Sequence, residues 1–136
     1  MSKLACRCGN VISDVICPSP TEGRLTGAQD DDRLQTEAFA AVKKFIAALL
    51  AGQKEAWIRS FFLPLYPADL ADDEVIFDII STFELRYEKS VAECDQCGRL
   101  WVQLRAGENV YRSYSPDDGG YAAVLRGGPG VTDKQT

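Results

Sequence analysis

Four cysteines stand in two short turns, Cys6-Arg7-Cys8-Gly9 near the start of the 136-residue chain and Cys94-Asp95-Gln96-Cys97-Gly98 toward its end. Each turn offers two sulfurs, and the glycine after the second cysteine lets the backbone fold back and direct N–H groups at them. Two such turns brought together supply four thiolates, the soft tetrahedral donor set that Zn²⁺ prefers. Cys6, Cys8, Cys94 and Cys97 are therefore the candidate ligands of a structural zinc. Closed by four cysteines, such a site has no open position for a reacting water, so its chemistry is to hold the chain together.

Two other readings of the same residues are weaker. Cys94-Asp95-Gln96-Cys97 has the spacing of a thioredoxin-like redox motif, but that motif needs a helix N-terminus behind its first cysteine, and Gly98 with a strand-like run follows instead. Plain buried or disulfide-bonded cysteines do not account for the paired spacing and suit a reducing compartment poorly. Cys17 stands apart, followed by Pro18, and reads as a small half-buried residue. Arg7 and Arg99 flank the turns, where they either offset excess negative charge or serve as ordinary surface charge.

The chain carries no histidine, which removes the commonest general base, the commonest catalytic metal ligand and every Ser–His or Cys–His nucleophile. Its formal charge is −5, and deprotonating four thiols while adding a dication takes it to about −7. An acidic chain repels phosphate backbones, and Lys43-Lys44 is the only adjacent basic pair, so no nucleic-acid partner is expected. Apolar residues form 46% and charged residues 26%, an ordinary balance for a soluble domain. No apolar run approaches a membrane span, and the start lacks a secretory signal, so a cytoplasmic location is expected.

The elements that must position the cysteines follow from periodicity. Asn10 to Cys17 suits a strand, and residues 18–29 read as a surface loop rich in turn formers. Asp30-Asp31-Asp32 opens the clearest helix, with Leu34, Ala38, Val42, Phe45, Ile46, Leu49 and Leu50 on one face and Gly52 as its stop. A short helix from Lys54 to Phe62 ends at Pro64. Asp72-Asp73-Glu74 opens a third, with Val75, Ile76, Ile79, Ile80 and Phe83 inward and the chain turning extended by Leu85. Leu100 to Arg105 alternates as a strand, Val110 to Tyr114 is its hairpin partner, and Tyr121 to Leu125 is a candidate edge strand. The two acidic runs sit at helix starts, where carboxylates are favoured locally, although they also offer rims for a basic partner.

These elements predict an α+β fold: a small antiparallel, zinc-ribbon-like sheet with a helical insertion, about residues 30–84, between the two metal half-sites. A single domain over residues 1–126 and a flexible tail over 127–136 are expected. The long gap between half-sites is tolerable, because doubling a loop costs only about 0.6 kcal/mol.

The segments Cys6-Arg7-Cys8-Gly9-Asn10 and Cys94-Asp95-Gln96-Cys97-Gly98-Arg99-Leu100 resemble zinc-ribbon half-sites of a group of short bacterial proteins, mostly without established activity. The similarity covers both ends of the cysteine-bearing region, reaches weakly to Tyr66-Pro67 and Asp72 to Ile76, and does not include the last residues. It implies Cys6, Cys8, Cys94 and Cys97 as zinc ligands. Some small acidic bacterial proteins of this character are immunity proteins, which bind and block a toxin. A non-enzymatic module that binds a protein partner, a basic toxin in the immunity-protein form, is the first functional expectation. A zinc-ribbon nucleic-acid or transcription accessory module is the alternative. An enzyme would need carboxylate chemistry that no spacing here advertises.

Overall fold

The chain runs β1 (Lys3–Ala5), β2 (Val11–Ser13), β3 (Glu22–Leu25), α1 (Ala28–Leu50), α2 (Lys54–Phe61), α3 (Asp72–Tyr87), β4 (Lys89–Glu93), β5 (Leu100–Gln103) and β6 (Tyr111–Tyr114). This is seen in a computed structural model that describes residues 3–13 and 15–127. The tail expected from residue 127 thus lies, beyond Gly127, outside the described residues, as does Asp14. The chain divides into two compact units, Met1–Leu25 with Glu88–Thr136, and Thr26–Tyr87. The α+β expectation holds: three helices fall between the two cysteine-bearing strand regions.

The strand unit holds two antiparallel sheets. β1 and β2 form a hairpin in which Leu4 faces Ile12, and the turn between them carries Cys6 and Cys8. The other sheet has the order β3-β4-β5-β6, every pair antiparallel. Val91 lies opposite Val102 and Glu93 opposite Leu100, so the β4–β5 turn carries Cys94 and Cys97. Both cysteine pairs therefore sit on hairpin turns.

β3 falls inside the segment expected to be loop. Its residues, Glu22-Gly23-Arg24-Leu25, carry no alternating apolar signal, and the strand exists because β4 supplies the backbone ladder. Gly23 suits that place, since a β-carbon there would sit 3.2 Å from Leu125 and 3.6 Å from Val91. Residues 121–125 do not form the expected edge strand; they turn so that Leu125 lies over Gly23. The strand expected over Asn10–Cys17 is shorter, confined to Val11–Ser13.

In the helical unit, α1 places Leu34, Ala38, Ala41 and Phe45 against Ile58 of α2 and Val75, Ile79 and Phe83 of α3. The 3–4 spacing is that of one buried helical stripe. The stripe is narrower than expected, for Ile46 is 44% and Leu50 86% exposed. Each is one residue on from the buried face, and a step of one residue turns a helix by about 100°. Gly52 takes a positive φ of 71° just past α1, where a side chain would be strained.

α3 continues through Leu85 to Tyr87, past the expected switch to extended chain. Side chains of its last turn explain this. Tyr87 Oη donates to Glu37 Oε1 at 2.9 Å, Arg86 pairs with the same Glu37 at 3.6 Å, and the Arg86 guanidinium lies 4.9 Å from the centre of the Phe83 ring. Tertiary contacts thus override local preference. An aromatic cluster seals the unit: Trp57 stacks on Phe61 at 4.8 Å and Phe62 on Tyr66 at 3.8 Å.

A four-cysteine cluster

Each half-site is built by the same backbone device. In the first, Cys6 N–H donates to Asn10 O at 2.8 Å and Gly9 N–H to Cys6 O at 3.0 Å. In the second, Cys94 N–H donates to Arg99 O at 2.9 Å and Gly98 N–H to Cys94 O at 2.8 Å. Gly9 and Gly98 close the two turns with φ of 96° and 79°, a region costly for residues with a β-carbon.

The turns bring the four sulfurs of Cys6, Cys8, Cys94 and Cys97 within 4.8 Å of one another. Cys6 Sγ stands 3.6 Å from Cys97 Sγ, and Cys8 Sγ 3.6 Å from Cys94 Sγ. A tetrahedron with metal–sulfur bonds of about 2.3 Å has sulfur–sulfur edges of about 3.8 Å. A disulfide needs about 2.05 Å, so none of these pairs is bonded. Among the described residues no other group of three or more cysteines, aspartates, glutamates or histidines comes together in this way. Cys17 lies outside the cluster and is exposed.

The surroundings favour thiolates unequally. Burial alone would push the Cys6 thiol up, but the Cys8 N–H, the Trp101 indole and the neighbouring sulfurs reverse this and bring it down to about 6. Cys94 is buried and yet also lowered, by the N–H groups of Cys97 and Gln96 and by the Asn10 amide. Arg99 N–H favours the Cys97 thiolate, yet burial and three neighbouring sulfurs hold this thiol up at about 12. Four sulfurs this close do not all ionise without a cation between them. The donor set, its edge lengths and its N–H···S bonds suit a tetrahedral thiophilic metal.

Two residues of the site went unnoticed in the sequence. Asn10 donates its side-chain amide to Cys94 Sγ at 3.4 Å and to Asp95 Oδ1 at 3.2 Å, so the first half-site reaches into the second. Its only signal is its place directly after Gly9. Trp101 Nε1 is buried with no partner at hydrogen-bond geometry and bears on the Cys6 sulfur as a donor. The flanking arginines behave differently from each other: Arg99 donates to Ser113 Oγ at 3.1 Å, while Arg7 is exposed. No helix follows Cys97. The chain enters β5, so the support a redox Cys-x-x-Cys needs is absent there.

The acidic runs place Asp30 and Asp31 in the first turn of α1 and Asp72, Asp73 and Glu74 in that of α3, without a side-chain cap on α1. Asp31 accepts from Gln35 at 2.9 Å, Asp30 meets Arg33 at 3.7 Å and Asp72 pairs with Lys54 at 2.7 Å.

Fold and site define a small α+β protein in which two hairpin turns share a cluster of four cysteines able to hold a metal. The family model that matches residues 2–118 is that of a domain of unknown function, DUF8617, and the chain belongs to this family. No curated protein and no solved structure matches it. Among the described residues no helix is long and apolar enough to cross a membrane.

Proposed function

We propose that this protein is a zinc-stabilised interaction module that binds a protein partner and performs no chemistry of its own. One observation carries the zinc: four sulfurs from two distant hairpin turns lie within 4.8 Å of one another, and among the described residues the group holds these four cysteines. Cys6, Cys8, Cys94 and Cys97 are its ligands. A borderline-soft ion with no geometric preference of its own matches four thiolates in a tetrahedron, and such closed sites contribute folding energy.

The interaction role is supported by what the chain lacks and by its charge. Histidine is absent from the sequence, and the net charge of −5 steers a basic partner and hastens encounter. An immunity protein that occludes a basic toxin in the cytoplasm is the form of this role that the acidic charge fits. Trp57 and Tyr66, aromatics of the insertion, are engaged in its internal stacking, and the Tyr66 hydroxyl donates to Asp78 at 2.7 Å. Exposed Phe39 and Phe77 are the available aromatics of the helices, at 69% each.

The test is capture from the native host with zinc-loaded protein as bait, followed by reconstitution with the purified partner. A one-to-one complex whose association slows with salt is the expected result. Catalytic turnover that copurifies with the protein and disappears on substitution of a carboxylate would overturn the non-enzymatic reading.

A further inference from the structure

The 3.6 Å sulfur contacts, Cys6 Sγ to Cys97 Sγ and Cys8 Sγ to Cys94 Sγ, both run from one hairpin turn to the other. Together they use each sulfur once, so the four cysteines are already sorted into two pairs across the turns. Pairing within a turn is opposed by the backbone. The Gly9 N–H bond to Cys6 O and the Gly98 N–H bond to Cys94 O hold the two turns closed. Cys6 and Cys8 are separated by Arg7 alone, and a bridge between them would close a small ring and distort the turn that those bonds fix.

The sulfurs also differ in access. Cys8 is exposed, whereas Cys97 is half-buried and Cys6 and Cys94 are buried. The N–H donors around the cluster are directed at the less open sulfurs: the Asn10 amide at Cys94, the Trp101 indole at Cys6 and the Arg99 N–H at Cys97. A hydrogen bond draws electron density from a thiolate and burial keeps an oxidant away, so oxidation favours the sulfur most open to solvent. In the cluster that sulfur is Cys8, and Cys94 is the neighbour placed to resolve it. Cys17 is exposed too, but lies outside the cluster.

We propose that the cluster is a reversible redox switch, in which a peroxide oxidises the zinc-loaded site and two disulfides, Cys8–Cys94 and Cys6–Cys97, replace the metal. The proposal rests on the reading of the cluster as a zinc site. The Cys8 thiolate attacks one peroxide oxygen, the O–O bond breaks, and the other oxygen leaves as water once protonated. The Cys94 thiolate then attacks the sulfenic sulfur of Cys8; the S–S bond forms, the S–O bond breaks, and the oxygen again leaves as water. With two ligands gone the metal is released, and Cys97 and Cys6 follow the same course with a second peroxide. In sum, four thiolates, two molecules of hydrogen peroxide and four protons give two disulfides and four waters. A dithiol reverses both bridges by exchange and is itself oxidised to a disulfide. The two hairpins stay joined in either state, by metal when reduced and by sulfur bridges when oxidised.

The experiment treats full-length protein, as isolated without chelator, with rising amounts of hydrogen peroxide. Zinc release is read with a chromophoric chelator, sulfenic acid is trapped with dimedone, and bridges are mapped by mass spectrometry. Trypsin and Asp-N together cut after Arg7 and Lys89 and before Asp14 and Asp95, which puts each of the five cysteines on a peptide of its own. Dimedone is expected on Cys8 roughly tenfold or more above Cys6, Cys94 and Cys97. The final product should carry the two cross-turn bridges, with one zinc released for each pair of bridges and zinc binding restored by dithiothreitol. Cys17→Ser should leave all of this unchanged. Bridges within a turn, bridges between chains through Cys17, or zinc that stays bound while Cys17 is fully oxidised would overturn the switch and leave the zinc site standing. Cross-turn bridges formed by protein that carries no zinc would sustain the pairing and overturn the zinc reading on which the switch rests.

Discussion

Cys6 Sγ and Cys97 Sγ stand 3.6 Å apart although 91 positions separate them in sequence. A metal bound there closes a very long loop, and its binding energy, about 10–16 kcal/mol for structural sites, becomes folding energy of the strands that carry the sulfurs. Chelation should therefore loosen the strand unit before the helical one, which rests on the buried contacts of Phe45, Ile58, Val75 and Ile79. Hydrogen exchange should show β1, β2, β4 and β5 losing protection while the centres of α1 and α3 keep most of theirs. Uniform loss throughout the chain would contradict this division.

The two half-site glycines should differ in what they tolerate. At Gly9 a β-carbon meets only open space, and Gly9→Ala suffers the positive φ alone, about 1 kcal/mol. At Gly98 the same carbon overlaps the carbonyl of Gly120, so backbone must move as well, and a loss of about 3 kcal/mol or more is expected. Thermal unfolding of both variants, loaded with metal, checks the order. Equal losses would mean that residues near Gly120 do not hold their place against the second half-site.

Alkaline pH should weaken the helical unit through Tyr66. Burial first, then the hydrogen bond to Asp78, hold its hydroxyl well above the usual tyrosine range. In the unfolded chain the group ionises near pH 10, so above that pH the folded state binds more protons than the unfolded state. Stability contributed by the neutral phenol is complete below pH 10 and is lost as pH rises toward the folded value. Tyr87, raised by its bond to Glu37, acts in the same direction. The urea midpoint, followed by helical circular dichroism, should fall less between pH 9 and 11 in Tyr66→Phe/Tyr87→Phe than in the wild type. Equal falls would rule out both hydroxyls as the source.

What the sequence disclosed depended on the kind of signal each element carries. The cysteine turns announce themselves by residue type and spacing, and α1 and α3 by acidic starts and a 3–4 apolar stripe. β3 carries no such signal, because Glu22-Gly23-Arg24-Leu25 is a strand only by virtue of the partner ladder from β4. The end of α3 was hidden for a related reason: Tyr87 prefers strands, and contacts distant in sequence, among them its bond to Glu37 50 positions away, hold it in the helix. Asn10 and Glu93 were equally silent. An asparagine after a glycine reads as a turn, and a glutamate before a cysteine reads as surface, until the fold places one on Cys94 and buries the other.

The central claim is that Cys6, Cys8, Cys94 and Cys97 together hold one zinc. Elemental analysis and native mass spectrometry of protein prepared without chelator test it directly, with serine placed singly at each of the five cysteines. About one zinc per chain is expected in the wild type and in Cys17→Ser, with metal lost or greatly weakened in the other four variants. Wild-type protein free of zinc, or zinc that disappears in Cys17→Ser and survives in Cys8→Ser, would contradict it.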